Sequence, residues 1–137
     1  MEKPGFSPLD RFGDRLLAYN GLTVTNFMAD QKFLFVCSRN QWRSPTAEKI
    51  WRNTNGIQVR SAGTSPKARR RISASDVQWA DRIFVMEGKH KDRLQAQFSN
   101  LLQYKPIHVL DIPDSYDYMD EELVEILTLS ISPFIPE

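Results

Sequence analysis

The sequence predicts an α/β domain built on a four-stranded parallel sheet, and three observations carry that prediction. From Lys32 onward, short apolar β-prone runs at 32–36, 57–60, 83–86 and 107–110 alternate with stretches of helical period. Strand then helix, repeated four times, requires right-handed crossovers, which put helices on both faces and order the strands 2-1-3-4. The chain has 137 residues and 41% hydrophobic content, enough for one substantial core.

Residues 1–31 are read as an N-terminal extension and 32–137 as the domain. Ser7-Pro8 can cap a short helix through Leu16, Leu17 and Tyr19. Asn20-Gly21 reads as a turn and Thr23-Val24-Thr25 as an edge strand. Nothing in this arm carries chemistry. The reading is a loosely packed arm, with a lid or a dimer contact as the alternative.

The first strand, 32–36, stops at Cys37, the only cysteine. Five residues later comes Arg43, and Ser44-Pro45 opens a helix over 45–54 with Ala47, Ile50 and Trp51 on one buried face. Backbone N–H groups in a tight loop entering a helix converge, and the helix end adds partial positive charge, so the concavity favours a tetrahedral dianion. Ser38, Arg39, Asn40, Gln41, Trp42, Arg43 and Ser44 are the candidate phosphate-binding residues. Arg43 offers a planar fork suited to two oxygens, where a lysine would be a point charge. The same groups favour a thiolate at Cys37, which is a nucleophile, and Ser44 can donate to the sulfur. Taken singly, a cysteine after a strand, an arginine at a helix start and a Ser-Pro pair are ordinary structural features. Their joint spacing is not.

The second strand, 57–60, runs into Ser61-Ala62-Gly63-Thr64-Ser65, read as a turn. Lys67, Arg69, Arg70 and Arg71 read as a solvated basic loop, with attraction of phosphorylated substrate as the alternative. With no aromatics interleaved, the cluster is a poor platform for base stacking, so no nucleic-acid partner is expected. Ser73 and Asp76 form a capping box for a helix over 74–79. The third strand, 83–86, precedes a helix over 89–98 with Leu94, Gln97 and Phe98 near one face. His90 is read as solvated on that helix and without a role.

The fourth strand, 107–110, ends in an acidic loop, Asp111-Ile112-Pro113-Asp114-Ser115-Tyr116-Asp117-Tyr118. Ligands gather at the carboxyl ends of parallel strands, so this loop and the Cys37 loop should share one rim. Asp111, Asp114 and Asp117 are therefore candidates to protonate a leaving oxygen and then to activate water. Tyr116 and Tyr118 either wall a pocket against an aromatic group or are half-buried loop aromatics. A last helix, 120–131, turns Leu123, Ile126, Leu127 and Ile131 inward until Pro133 stops it.

Composition narrows the function further. A formal net charge of +1 gives no global field for nucleic acid or membrane. No apolar run approaches the ~18 residues of a spanning helix, and no hydrophobic signal core is read at the N-terminus. A lone cysteine allows no internal disulfide, which fits a reducing, cytoplasmic setting. No metal and no cofactor are expected, and the oligomeric state is left open.

Residues 37–48, C-S-R-N-Q-W-R-S-P-T-A-E, resemble the signature of the low-molecular-weight protein tyrosine phosphatases: Cys, two residues, Asn, two residues, Arg-Ser-Pro, one residue, Ala-Glu. The Ser-Ala-Gly-Thr-Ser run is similar to a segment that flanks that family's catalytic loop. So is the stretch Arg70-Arg71-Ile72-Ser73, Asp76 and Ala80 to Glu87. The resemblance implies hydrolysis of a phosphotyrosine-like aryl ester through a cysteinyl-phosphate, with Cys37 as nucleophile, Arg43 on the phosphate and Asn40 shaping the loop. It selects Asp114 as general acid, because Asp114-Ser115-Tyr116 stands where the family has Asp-Pro-Tyr; Asp111 and Asp117 stay as weaker candidates.

Four departures accompany the resemblance. Ser115 replaces a proline that would stiffen the acid loop. Arg39 replaces a common glycine, a strained substitution if the position needs positive φ. Trp42 stands where many relatives keep a second cysteine, which removes a disulfide partner for Cys37 and argues against arsenate reduction. The chain between Thr64 and Arg70 is short, so the pocket should be more open. The rival reading is a weakly active or inactive phosphate-binding module.

Overall fold

The computed structural model describes residues 29–136. The helix and edge strand expected between Ser7 and Thr25 lie outside the described residues. Strand β1 (Gln31–Cys37) is followed by α1 (Arg43–Trp51), β2 (Ile57–Gly63), α2 (Ala74–Trp79), β3 (Arg82–Val85), α3 (Gly88–Phe98), β4 (Ile107–Val109) and α4 (Glu121–Ile131). All pairings are parallel and the order is β2-β1-β3-β4, the predicted 2-1-3-4.

The central position of β1 follows from its composition. Phe33, Leu34, Phe35 and Val36 are all buried, so the strand can only sit where both faces are covered. On one face Phe33, Phe35, Cys37 and Phe84 meet Ala47 and Trp51 of α1 and Leu123, Leu127 and Ile131 of α4. On the other, Leu34, Val36, Ile83 and Val85 meet Val77 of α2 and Leu94 of α3. Phe35 stacks between Trp51 and Phe84, with centroids at 5.9 and 5.5 Å. Each such ring contributes roughly 1.5–3 kcal/mol on burial, so this stack is a principal tie between α1 and the sheet.

The predicted element boundaries largely stand. Helix α2 is capped as expected: Ser73 accepts from the Asp76 amide and Asp76 from the Ser73 amide. Asp76 also receives Arg60 and Arg70. Burial pushes its carboxyl up, but the bonds from Arg70 and Ser73 outweigh that and hold it below its usual value. Asp120 caps α4, and Pro133 falls in a 3-10 turn that ends it. One boundary differs in a way that matters. Ser61, Ala62 and Gly63, expected as a turn, extend β2, because the β1 ladder continues to the pair Cys37–Gly63. The strand therefore ends level with the sulfur.

Candidate functional site

Cys37 closes β1, Arg43 opens α1, and the loop between them is held from behind by the chain after β2. Thr64 N–H donates to Cys37 O, Ser65 N–H to Ser38 O, Arg69 N–H to Arg39 O, and Arg69 Nε to Asn40 O. Four successive carbonyls thus face outward. Because each peptide unit is planar and trans, the N–H groups of the same units face the opposite way, into the loop. The short connector expected to leave a gap is the strap that orients these amides. Gly63 lets it approach: a Cβ there would lie 2.6 Å from both Ser38 O and the Ala68 Cβ.

The left-handed residue of the loop is Asn40, at φ 55°, and not Arg39. The strain expected at Arg39 does not arise, since that residue is exposed and absent from the positive-φ positions. Asn40 tolerates this backbone region better than most side chains do.

The sulfur of Cys37, 3% exposed, receives the Asn40 N–H at 3.3 Å and lies 3.0 Å from Ser44 Oγ. The proton on Ser44 can be placed by following the network outward. Ser61 Oγ lies 2.5 Å from a Glu48 carboxylate oxygen, so it donates there and must accept from Asn40 Nδ2 at 3.0 Å. That fixes the Asn40 amide, whose Nδ2 also donates to Ser44 Oγ at 3.0 Å. Ser44 is left with its own proton, for which the sulfur at 3.0 Å is the nearer acceptor and the Ala62 carbonyl at 3.4 Å the farther one. The chain from Glu48 to Cys37 therefore directs donors at sulfur, an arrangement that suits a thiolate.

Arg43 is 2% exposed and fastened from above. Its Nη1 donates at 2.8 Å to Glu87 and at 2.8 Å to the carbonyl of Ile112, while Nε lies 3.6 Å from Asp114. With Nη1 engaged, the Nε–Nη2 edge of the fork is the one able to reach an oxyanion. The Arg43 bond and charge hold the Glu87 carboxyl below its usual range. Of the three aspartates on the acidic loop, Asp114 alone lies within ion-pair distance of Arg43 among the described residues. Asp111 and Asp117 are exposed, the former at φ 56°. Asp114 itself is 48% exposed, so its carboxyl reaches both Arg43 and solvent.

The remaining candidates divide. Tyr116 packs on the core and donates to Glu122 at 3.3 Å. Tyr118, Gln41 and Trp42 line a groove beside the loop.

Two expectations need correction. His90 is 1% exposed and not solvated. Its Nδ1 accepts the Glu87 N–H at 3.0 Å and its Nε2 lies 2.8 Å from Ser38 Oγ. Burial, then the Arg43 charge, push its pKa down to about 4, so the ring is neutral and Nε2–H donates to Ser38. The basic run 67–71 is likewise not merely solvated: Arg69 straps the loop, and Arg70 donates to Ser61 O and Asp76.

Sequence reasoning assigned no role to Glu48, Ser61, Glu87 or His90. Glu87 lies just past the carboxyl end of β3, so the rim rule that singled out the acidic loop applies to it equally. Glu48 stands inside the matched signature. Nothing local marked His90 or Ser61.

The sheet order, with a cysteine closing the first strand and an arginine opening the helix after it, is the fold of the low-molecular-weight protein tyrosine phosphatases. The tyrosine phosphatase Wzb from Escherichia coli K30, solved in complex with phosphate, is 17% identical with a TM-score of 0.64, over 78% of this chain and 97% of that one. The low molecular weight protein tyrosine phosphatase SP-PTP from Streptococcus pyogenes is 18% identical, TM-score 0.64, over 78% and 95%. The YwlE arginine phosphatase from Geobacillus stearothermophilus is 19% identical, TM-score 0.60, over 76% and 92%. At these identities the likeness establishes the fold. Neither a protein-family model nor a curated protein matches the sequence.

Proposed function

We propose that this chain is a phosphomonoester hydrolase that works through a cysteinyl-phosphate, without a metal. The observation that carries the reading is the convergence of Cys37, Arg43 and Asp114 at one rim, with Ser44 and the Asn40 amide directed at the sulfur. The Cys37 thiolate attacks phosphorus in line, and the bond to the leaving oxygen breaks as Asp114, in its acid form, delivers a proton to it. Water then loses a proton to the Asp114 carboxylate and attacks phosphorus. The S–P bond breaks, inorganic phosphate leaves, and the thiolate returns to its two donors. Through both steps Arg43 and the loop amides, of which those of residues 38–41 face inward, hold the equatorial oxygens.

The domain responsible is 32–137, with 1–31 as an extension, and a reducing compartment such as the cytoplasm suits its lone thiol. An aryl phosphate of the phosphotyrosine kind is the proposed substrate class. Fold neighbours include an arginine phosphatase as well as tyrosine phosphatases, so phosphoarginine belongs in the assay.

The test is turnover of p-nitrophenyl phosphate, phosphotyrosine and phosphoarginine by the wild type and by Cys37→Ser, with EDTA present. Wild-type turnover and a loss of at least about a thousandfold in the variant are expected. Equal activity of the two proteins would remove the cysteine from the reaction. Binding of vanadate with no turnover of any ester would favour the phosphate-recognition module.

A further inference from the structure

We infer that the groove beside the phosphate loop binds an acidic segment next to the phosphorylated side chain, so that the substrate is a phosphorylated polypeptide with carboxylates flanking its phosphoresidue. The inference rests on the phosphatase reading and adds to it a partner chemistry and a second surface.

The groove has a volume of about 560 Å3, within the ~300–1,000 Å3 usual for ligand clefts. Its floor is the outer stripe of α1, where Glu48, Lys49 and Arg52 follow one another at helical spacing. Trp42, Tyr118 and Arg69 complete its lining. Neither Cys37 nor Arg43 lines it, so it lies beside the sulfur and can be filled while a phosphate occupies the loop. Continuity with the loop is direct. Trp42 is the last residue before α1, its carbonyl accepts from Thr46 Oγ1 at 2.6 Å, and Thr46 Oγ1 in turn accepts the Met119 amide at 2.9 Å, next to Tyr118. Arg69 Nε is bonded to Asn40 O, which holds this cation at the loop's back edge.

The chemistry of the lining selects the occupant. Three cations, Lys49, Arg52 and Arg69, face one carboxylate, Glu48, and that carboxylate already accepts from Ser61. The surplus is positive on a chain whose net charge is only +1. Two exposed aromatics, Trp42 and Tyr118, offer flat faces to a peptide backbone and its side chains. A small phosphorylated metabolite held at Cys37 would leave this surface unused. A nucleic-acid strand would bring a continuous row of phosphates against Glu48, whereas a peptide can place its carboxylates opposite the cations alone.

The experiment compares the full chain on p-nitrophenyl phosphate and on three phosphotyrosine peptides whose flanking residues are acidic, neutral or basic. The acidic peptide is expected to have a KM about fivefold below the neutral one at low salt, and the advantage should shrink as salt rises. The Lys49→Glu/Arg52→Glu double variant should lose or invert that preference while its kcat/KM on p-nitrophenyl phosphate stays within about twofold of wild type, since both residues lie on the groove lining beyond Cys37 and Arg43. Equal KM values for the three peptides, a preference unchanged in the variant, or parallel loss on p-nitrophenyl phosphate would overturn the inference. Failure of the phosphatase reading looks different: no ester is turned over. Binding of fluorescent phosphonate analogues of the same three peptides then decides, with tighter binding of the acidic one supporting the groove and equal binding rejecting it. Tighter binding of a single-stranded oligonucleotide than of the acidic peptide would also reject it.

Discussion

Arg43 and Glu87, 44 positions apart, meet at 2.8 Å and share the rim with the Ile112 carbonyl. The Arg43 side chain is 2% exposed and that of Glu87 30%, so Glu87 helps to anchor a buried charge that Ile112 O also holds. The contact joins the helix after the loop to the chain just past β3, and it leaves the Nε–Nη2 edge of the fork on the side of Asp114.

Replacing Glu87 by Ala leaves Arg43 buried with its Nη1 held only by a carbonyl. A stability loss of about 1–3 kcal/mol is expected, the usual penalty for an unpaired buried donor. In the proposed enzyme kcat should fall more than KM rises, because orientation and not charge is lost. Thermal unfolding and steady-state kinetics of the variant check this; an unchanged melting curve would show that Ile112 O suffices.

Asp114→Ala removes the proposed proton donor. A drop of about 10²–10⁴-fold is expected on an alkyl or unactivated aryl phosphate, where the departing oxygen needs a proton. The loss should be much smaller on p-nitrophenyl phosphate, whose leaving group is already stable as an anion. Equal losses on both esters would assign Asp114 to holding Arg43 alone. Asp111→Ala and Asp117→Ala should leave both rates nearly unchanged.

Asn40 combines a left-handed backbone with the side-chain bonds that orient Ser44. Asn40→Gly keeps the first and removes the second, whereas Asn40→Ala forfeits both. The alanine variant should therefore be less stable than the glycine variant by about 1 kcal/mol, the cost of a left-handed residue with a Cβ. Both should lose activity alike, since each leaves Ser44 free to turn its proton from the sulfur to the Ala62 carbonyl at 3.4 Å. Chemical denaturation and turnover separate the two effects.

The folded-state pKa of His90 is about 4, against 6.5 for the free side chain. Between these values the unfolded chain binds more protons than the folded one, so stability is present above pH 6.5 and is lost as pH falls toward 4. The loss attributable to this group is on the order of 3 kcal/mol. His108, whose pKa is lowered by burial and by Arg82, acts with the same sign. A His90→Asn variant should retain only the shallower slope. Denaturation midpoints between pH 7.5 and 5 measure it, and identical slopes in the two proteins would mean that folding leaves the proton affinity of His90 unchanged.

Much of this was legible locally. The strands announce themselves as apolar runs, α2 by its Ser73–Asp76 box, and the loop between β1 and α1 by Cys37, Arg43 and Ser44 lying within one short stretch. What was misread depends on partners remote in the chain. Ser61 to Gly63 look like a turn because small residues have weak strand preference, yet pairing with β1 carries them to Cys37. His90 is a polar residue in the first turn of a helix, and its partner Ser38 stands 52 positions away. Arg69 looks solvated because its partner is a backbone carbonyl, which no residue pattern displays, and Arg70 because it divides its donors between such a carbonyl and the capping carboxylate of Asp76.

The amino-acid order by itself determined which elements form among the described residues and where a thiol, a guanidinium and a hydroxyl stand around one turn, since period and spacing act within a few residues. Tertiary packing alone decided that Asp114, of three candidates, comes to Arg43, that Glu87 and Ile112 hold that arginine, and that the short connector turns the loop carbonyls outward. Those choices rest on distances across the sheet, which depend on strand register and burial and are set only once the two cores close on β1.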